Sequence, residues 1–107
     1  MKLPEEGMLL RIFVGESDKY QGKALYEQIV IKARELNLAG ATALRGIMGF
    51  GADSRMHSAK ILRLSEDLPV VIELVDTEDN LNKLLPFLDE TVQEGLITLE
   101  KVRVIKY

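Results

Sequence analysis

The chain of 107 residues contains no cysteine, no tryptophan and one histidine, His57. Without cysteine there is no disulfide, no thiolate nucleophile and no cysteine-ligated zinc or iron–sulfur site. A lone histidine is not a metal site either, because zinc takes three or four ligands. The sequence also lacks an apolar run near the roughly 20 residues that cross a bilayer. Its first residues include Pro4, Glu5 and Glu6, where a secretory signal is apolar. We therefore expect a cytoplasmic protein with no membrane insertion.

An excess of positive charge is also missing, because 14 basic residues stand against 17 acidic ones and the net charge is -3. This sign disfavours contact with a phosphate backbone, so we expect no nucleic-acid partner. What the sequence does have is 47% hydrophobic residues in a length typical of one domain. We predict a single domain over residues 1–107. Its charge is uneven, since residues 41–65 and 96–107 are basic and residues 66–95 strongly acidic.

Hydrophobic spacing predicts four strands and two helices in the order β-α-β-β-α-β. The strands are expected at 8–14, 41–48, 70–75 and 96–105, with 59–64 as an extension or hairpin arm and 51–58 as a loop. Apolar residues at helical spacing from Leu25 to Leu36 and from Leu81 to Val92 indicate the two helices. Ser17 or Asp18 is the expected cap of the first helix, and Asn37 or Gly40 its end.

The second helix is expected to begin at Asp76 or Thr77 and to end at Gly95. Pro86 lies inside it, and proline removes one helical hydrogen bond. We therefore expect a kink or a break there.

This order of elements predicts an α+β, ferredoxin-like fold, in which a four-stranded antiparallel sheet carries both helices on one face. The other face is then uncovered, and a sheet face in water should alternate apolar with polar residues. The first and third strands are instead apolar on both faces, interrupted only by Arg11 and Glu73. Exposed apolar surface marks an interaction site. We therefore predict a homo-oligomer formed through the uncovered face.

Residues 45–51, with the sequence RGIMGFG, hold three glycines at the end of the second strand, where glycine costs conformational entropy. One interpretation is that the backbone at Gly49 and Gly51 approaches a small anionic ligand and directs N–H groups toward it. The candidate cations for such a ligand are Arg45, Arg55 and Lys60. The alternative is a bulge and a flexible hairpin with nothing bound. The spacing fits neither a Rossmann fingerprint nor a P-loop.

A second basic cluster lies in the last strand, with Lys101 and Arg103 on one face and Lys106 on the other unless the end of the strand twists. In a ferredoxin-like sheet this strand is at an edge, where its side chains can reach a neighbouring subunit. The alternative is that these cations only discourage edge-to-edge aggregation.

An enzyme would have to use Asp53, Arg55 and His57, which lie in a loop where spacing fixes no geometry. The adjacent acidic pairs, such as Glu66–Asp67, are interpreted as solvated faces and helix caps. We expect no catalytic residue, no metal and no cofactor.

Several segments resemble a bacterial and archaeal family of domains of unknown function that is related to the PII nitrogen-regulatory proteins. They are Ser17-Asp18, Gly22-Lys23, Leu25-Tyr26, Gly40-Ala41-Thr42, Arg45 to Gly51 and Leu99 to Val104. The resemblance covers essentially the whole chain. It implies a ferredoxin-like subunit in a trimer with three lateral clefts, where PII-type proteins bind adenine nucleotides. It also implies that the loop after strand two contacts a regulated protein partner.

Carried over by residue, Gly49-Phe50-Gly51 resembles the Gly-Phe-Gly that closes strand two in PII proteins, and Arg103 and Lys106 resemble their C-terminal basic pair. The resulting candidate ligand-binding residues are Arg45, Gly46, Gly49, Phe50, Gly51, Arg103 and Lys106. The chain departs from PII proteins at Asp53, where they have a glutamine. Residues 52–58 contain no tyrosine, so they offer no acceptor for uridylylation.

Three hypotheses follow. The first is a trimeric PII-like regulator that signals through the order of residues 51–60, an order–disorder switch. The second is a small oligomeric enzyme that uses the loop residues named above. The third is a structural or metal-tolerance trimer whose glycines only bend strand two.

Overall fold

The structure, a computed structural model, describes residues 6–51, 55–58 and 67–107. The main sheet contains strands β1 (Glu6–Gly15), β4 (Thr42–Arg45), β7 (Pro69–Asp76) and β8 (Leu96–Arg103). Two short pairs lie outside it, β2 (Lys19–Tyr20) with β3 (Lys23–Ala24), and β5 (Met48–Gly49) with β6 (His57–Ser58). The helices are α1 (Leu25–Glu35), α2 (Glu78–Asn82) and α3 (Leu85–Thr91). None of the described helices has the length and apolar character needed to cross a bilayer.

The main sheet has the strand order β4-β7-β1-β8, and all three pairings are antiparallel. The two long strands β1 and β7 lie in the centre, with Leu10 opposite Leu74 and Ile12 opposite Ile72. Together with the order of helices along the chain, this arrangement confirms the predicted ferredoxin-like fold.

The core lies between one face of the sheet and the helices. Alternate residues of β1 (Leu10, Ile12 and Val14) are buried, as the period of two along a strand requires. The other members are Val70, Ile72 and Leu74 of β7, Leu25, Ile29 and Ala33 of α1, and Leu81, Leu84 and Leu88 of the second helical region. Burying one such aliphatic side chain stabilises the fold by roughly 1.5–3 kcal/mol. The helices therefore cover only one face.

The end of α1 follows the prediction and its start does not. Asn37 has a φ of 59°, and the N–H groups of Asn37 and Leu38 donate to the carbonyls of Arg34 and Ala33, which is a Schellman motif. At the other end, Asp18 does not cap the helix. Its side chain accepts a hydrogen bond from the N–H of Gly15 at 2.9 Å, and the β2–β3 hairpin separates it from α1. Ser17 precedes the same hairpin, so neither predicted cap was right.

The second helical region breaks before Pro86, as predicted. Thr77 caps α2 by accepting a hydrogen bond from the N–H of Asn80 at 3.2 Å, and α2 ends at Asn82. Pro86 then lies in the first turn of α3, where its missing N–H has no helical partner to lose. The helix ends at Thr91, earlier than the predicted Gly95.

The second strand is shorter than expected, since β4 ends at Arg45 and a bend separates it from β5. The predicted loop 51–58 was wrong at its end, because the backbone of His57 and Ser58 pairs with Gly49 and Met48. The predicted arm at 59–64 falls outside the described residues.

Asp76 joins three segments on the covered side of the sheet. It is 1% exposed, and its carboxylate accepts hydrogen bonds from the N–H of Thr77 at 2.7 Å, the side-chain amide of Asn80 at 3.0 Å and the N–H of Ala39 at 2.8 Å. Burial by itself raises the pKa of Asp76, but the three hydrogen bonds together lower the pKa below its ordinary value. The charged form is therefore the one that the fold favours.

We expect Asp76→Asn to lower the free energy of unfolding by about 1–3 kcal/mol at neutral pH. The side-chain NH2 of asparagine would face a backbone N–H group, and two donors cannot form a hydrogen bond with each other. In the native protein, the charged carboxylate of Asp76 contributes fully to stability only above the pKa of aspartate in the unfolded chain, near 3.9. This contribution to the free energy of unfolding should be lost as the pH falls through the lower pKa of Asp76 in the folded state. Urea unfolding between pH 2.5 and 7 measures both effects. Asp79→Asn, at an exposed position in α2, is the control. Equal losses in the two variants would contradict this role of Asp76.

Candidate functional site

The face of the sheet turned away from the helices carries an apolar row across all four strands. Leu44, Val71, Phe13 and Leu96 are opposite one another in the register of β4, β7, β1 and β8. Leu44 is 49% exposed and Leu96 is 58% exposed. In the part of the chain that the structure describes, no helix packs on this face. The apolar surface anticipated from the sequence is therefore present.

The next row of the same face holds an ion-paired cluster. Arg11 donates from Nε to Glu73 and from Nη1 to Glu100, both at 2.9 Å. The hydrogen bond to Glu73 is the main cause that raises the pKa of Arg11, so the guanidinium stays charged. Arg11 and Glu73, which interrupt the apolar pattern in the sequence, thus neutralise each other.

A cavity of about 500 Å³ opens at the end of the apolar row. Phe13 and Leu96 of that row form part of its wall, and the predicted Gly49-Phe50-Gly51 segment forms another part. The remaining described lining residues are Val14, Gly15, Asp18, Asp67, Pro69, Glu94 and Gly95. The cavity therefore joins the glycine-rich segment to the uncovered face.

The charged residues described around this cavity are all acidic, namely Asp18, Asp67 and Glu94. Two of them also fix the turn after β1, because Asp18 accepts a hydrogen bond from Gly15 and Asp67 accepts one from the N–H of Ser17 at 2.9 Å. Sequence reasoning interpreted Asp67 as a solvated turn residue and did not place any of the three at a cavity. The only sequence signal was that each lies next to the end of a strand of the sheet.

Pro69 explains two of the glycines. A Cβ at Gly46 would lie 2.7 Å from Cγ of Pro69, and one at Gly49 would lie 3.1 Å from the same atom. The N–H of Gly46 also donates to the carbonyl of Pro69 at 2.6 Å. A Cβ at Gly51 would meet nothing within 4 Å. Close packing against β7 thus requires glycine at position 46 and constrains the residue at position 49. This packing accounts for both glycines without a bound ligand.

Of the predicted cations that the structure describes, none lines the cavity. Arg45 forms an ion pair with Glu16. Arg103 pairs in register with Glu6, whereas Leu96 pairs with Phe13, so the two ends of β8 are about 23 Å apart. Arg103 instead lines a second cavity of about 540 Å³ at the far end of the sheet. Lys106 follows it and is exposed. One chain therefore does not bring all the predicted site residues together.

The loop residues of the enzyme hypothesis are only partly placed. Arg55 is exposed, the backbone of His57 lies in β6, and Asp53 and Lys60 fall outside the described residues. Among the residues that the structure describes, no group of three histidine, aspartate or glutamate side chains is arranged to hold a metal ion.

The strand order and the position of both helical regions on one face define the ferredoxin-like class. Similarity to known proteins then shows the family. The chain belongs to the DUF190 family, described as "Uncharacterized ACR", whose profile matches residues 7–104. A UPF0166 protein of Aquifex aeolicus is 40% identical over 99 residues, or 91% of each chain. A UPF0166 protein of Methanocaldococcus jannaschii is 38% identical over 99 residues, or 92% of this chain and 91% of its own.

A solved structure shares the fold. CPII, a nitrogen regulatory PII-like protein from Thiomonas intermedia bound to ADP, AMP and bicarbonate, matches with a TM-score of 0.66 and 17% sequence identity. The match covers 92% of this chain and 88% of CPII. The family and the PII-like fold that the sequence resemblance implied are thereby confirmed.

Gly46→Ala should lower the free energy of unfolding by about 1–3 kcal/mol, because the added methyl group overlaps Pro69. Gly51→Ala should change it by about 0.5 kcal/mol or less, since the methyl group enters open space. Chemical unfolding of both variants measures the difference. If Gly46→Ala is as stable as Gly51→Ala, close packing against Pro69 does not require glycine at position 46.

Proposed function

We propose that this protein is a non-enzymatic PII-like regulator, a homotrimer that binds a small anionic ligand in clefts between its subunits, with an adenine nucleotide as the first candidate. Ligand binding would switch residues 51–60 between an ordered and a disordered state, and a regulated protein partner would bind only one of these states. The ligand would bind in the cavity beside Gly49-Phe50-Gly51.

The observation that carries this proposal is the position of the cavity at the edge of the apolar row. Its volume of about 500 Å³ lies in the range of small-molecule sites. Phe13 and Phe50 offer aromatic surface on which a planar base can stack. The ADP and AMP bound to CPII support an adenine nucleotide as the first ligand to test.

The charge of the cavity supports a site shared between subunits. Its described charged residues are carboxylates, which repel phosphate groups, so a nucleotide needs cations from elsewhere. Arg103 and Lys106 are too distant in the same chain. A neighbouring subunit packed on the uncovered face would bring such cations to the cavity.

Residues 51–60 are proposed as the signalling segment because apolar side chains are exposed beside the cavity. Phe50 is 66% exposed and Met56 is 51% exposed, on opposite arms of the β5–β6 hairpin. Exposed aromatic and methionine side chains are typical of protein-binding surfaces.

A structural trimer without a ligand is the second candidate. The contacts of Gly46 and Gly49 with Pro69 favour it, since packing alone explains these two glycines. The two candidates differ in whether a nucleotide stabilises the protein.

AMP, ADP or ATP at 1 mM should raise the melting temperature by several degrees if the dissociation constant is near 10 μM, because a ligand at about 100 times that constant adds about 2.7 kcal/mol. Phe50→Ala should reduce this shift and leave the ligand-free melting temperature nearly unchanged, since the side chain is mostly exposed. A thermal-shift titration measures both. The absence of a shift with every nucleotide would favour the structural trimer.

Leu44→Lys should dissociate the oligomer, because it places a charge in the apolar row at little cost to the single subunit. Ile31→Lys is the matched control, since Ile31 of α1 is 47% exposed on the helical side and Leu44 is 49% exposed. Light scattering measures the mass of each variant. A monomeric native protein, or an oligomer lost equally in both variants, would contradict assembly through this face.

A further inference from the structure

The cavity beside Gly49-Phe50-Gly51 has one wall at which three strands meet. Pro69, the first residue of β7, is opposite Gly15 of β1 in register, and its carbonyl accepts a hydrogen bond from the N–H of Gly46 at 2.6 Å. Gly15 and Pro69 both line the cavity, and Gly46 begins the glycine-rich segment after β4. The end of β1, the start of β7 and the end of β4 therefore lie side by side at this wall.

An ion pair crosses this junction. It joins Glu16, the residue after β1, to Arg45, the last residue of β4. Because β7 lies between β1 and β4 in the sheet, the two side chains together span roughly 10 Å, or two strand spacings. The side chain of Arg45 is 62% exposed and that of Glu16 is 22% exposed. The guanidinium is therefore held beside the cavity wall and is accessible from solvent.

The chemistry of this ion pair allows its carboxylate to be exchanged for another anion. A guanidinium presents its N–H groups in a planar fork whose geometry fits both a carboxylate and a phosphate. An exposed ion pair contributes little to stability, because both partners are well solvated when they are apart. A terminal phosphate carries roughly two negative charges, whereas a carboxylate carries one. A phosphate group at the cavity can therefore displace Glu16 from Arg45.

We infer that Glu16 competes with the phosphate of the ligand for Arg45. Before the ligand binds, the carboxylate of Glu16 holds the guanidinium, and the phosphate replaces the carboxylate on binding. Arg45, which does not line the cavity while it is paired with Glu16, then supplies a cation from the same chain. This role rests on the proposed function and adds a residue, Glu16, that sets how tightly phosphate-bearing ligands bind.

Replacing Glu16 tests this competition and leaves the lining of the cavity unchanged. Glu16→Gln should raise the affinity for AMP, ADP or ATP about two- to five-fold, the size of effect expected for an exposed ion pair. The affinity for adenosine, which has no phosphate, should not rise. Isothermal titration calorimetry of the purified protein measures each affinity, and the melting temperature without ligand shows that the variant is folded.

Glu35→Gln is the matched control. It makes the same change in net charge at an exposed position in the last turn of α1. We expect its nucleotide affinities to equal those of the native protein. An equal gain in Glu16→Gln and Glu35→Gln would mean that net charge alone controls the affinity, and it would overturn the competition. An equal gain for adenosine and for the nucleotides would overturn it as well.

Removing Arg45 tests the mechanism separately. Arg45→Gln should weaken nucleotide binding several-fold, and Glu16→Gln added to it should bring no gain, because no guanidinium remains for which to compete. A gain of the same size in both backgrounds, or no gain from Glu16→Gln in a native protein that binds nucleotide, would overturn the role of Glu16 and leave the proposed function standing. Failure of AMP, ADP and ATP alike to bind any of these proteins would overturn both.

Discussion

The structure depends on one constraint, which is that both helical regions lie on the same face of the four-stranded sheet and leave its other face uncovered. On the covered side, β1 and β7 bury every second residue against the leucines and isoleucines of the helices. On the other side the same strands place Phe13 and Val71 in an apolar row that no described element covers. Burial of apolar surface is the main stabilising term in folding, so a face left in this state favours association.

The uncovered face is not uniformly apolar, because it also holds an ion-paired cluster. Arg11 lies between Glu73 and Glu100 with both hydrogen bonds at 2.9 Å, so its positive charge is paired within the chain. Removing charges from water is costly, and a paired guanidinium reduces that cost if the face is covered. The cluster is therefore compatible with an interface, and the apolar row beside it favours one.

The sequence placed the elements well because hydrophobic period and proline chemistry are local. The apolar run of β1, the Thr77 cap and the break before Pro86 all follow from neighbouring residues. The start of α1 was wrong because the φ of Gln21 at 52° and of Gly22 at 78° turns the chain into a hairpin, and the sequence gives no periodic sign of it. The reason for Gly46 was missed because Pro69, which it touches, lies 23 positions away in sequence.

By itself the sequence determined the fold class and the apolar character of both sheet faces, because spacing along the chain carries these properties. The family followed from the resemblance of its motifs. Only the tertiary structure decided which candidate residues meet. The register of β8 on β1 separates Arg103 from the glycine-rich segment, and the packing of β7 brings Asp67 to the cavity instead. The physical reason is that strand pairing fixes distances between residues far apart in sequence, and these distances, more than residue types, define a site.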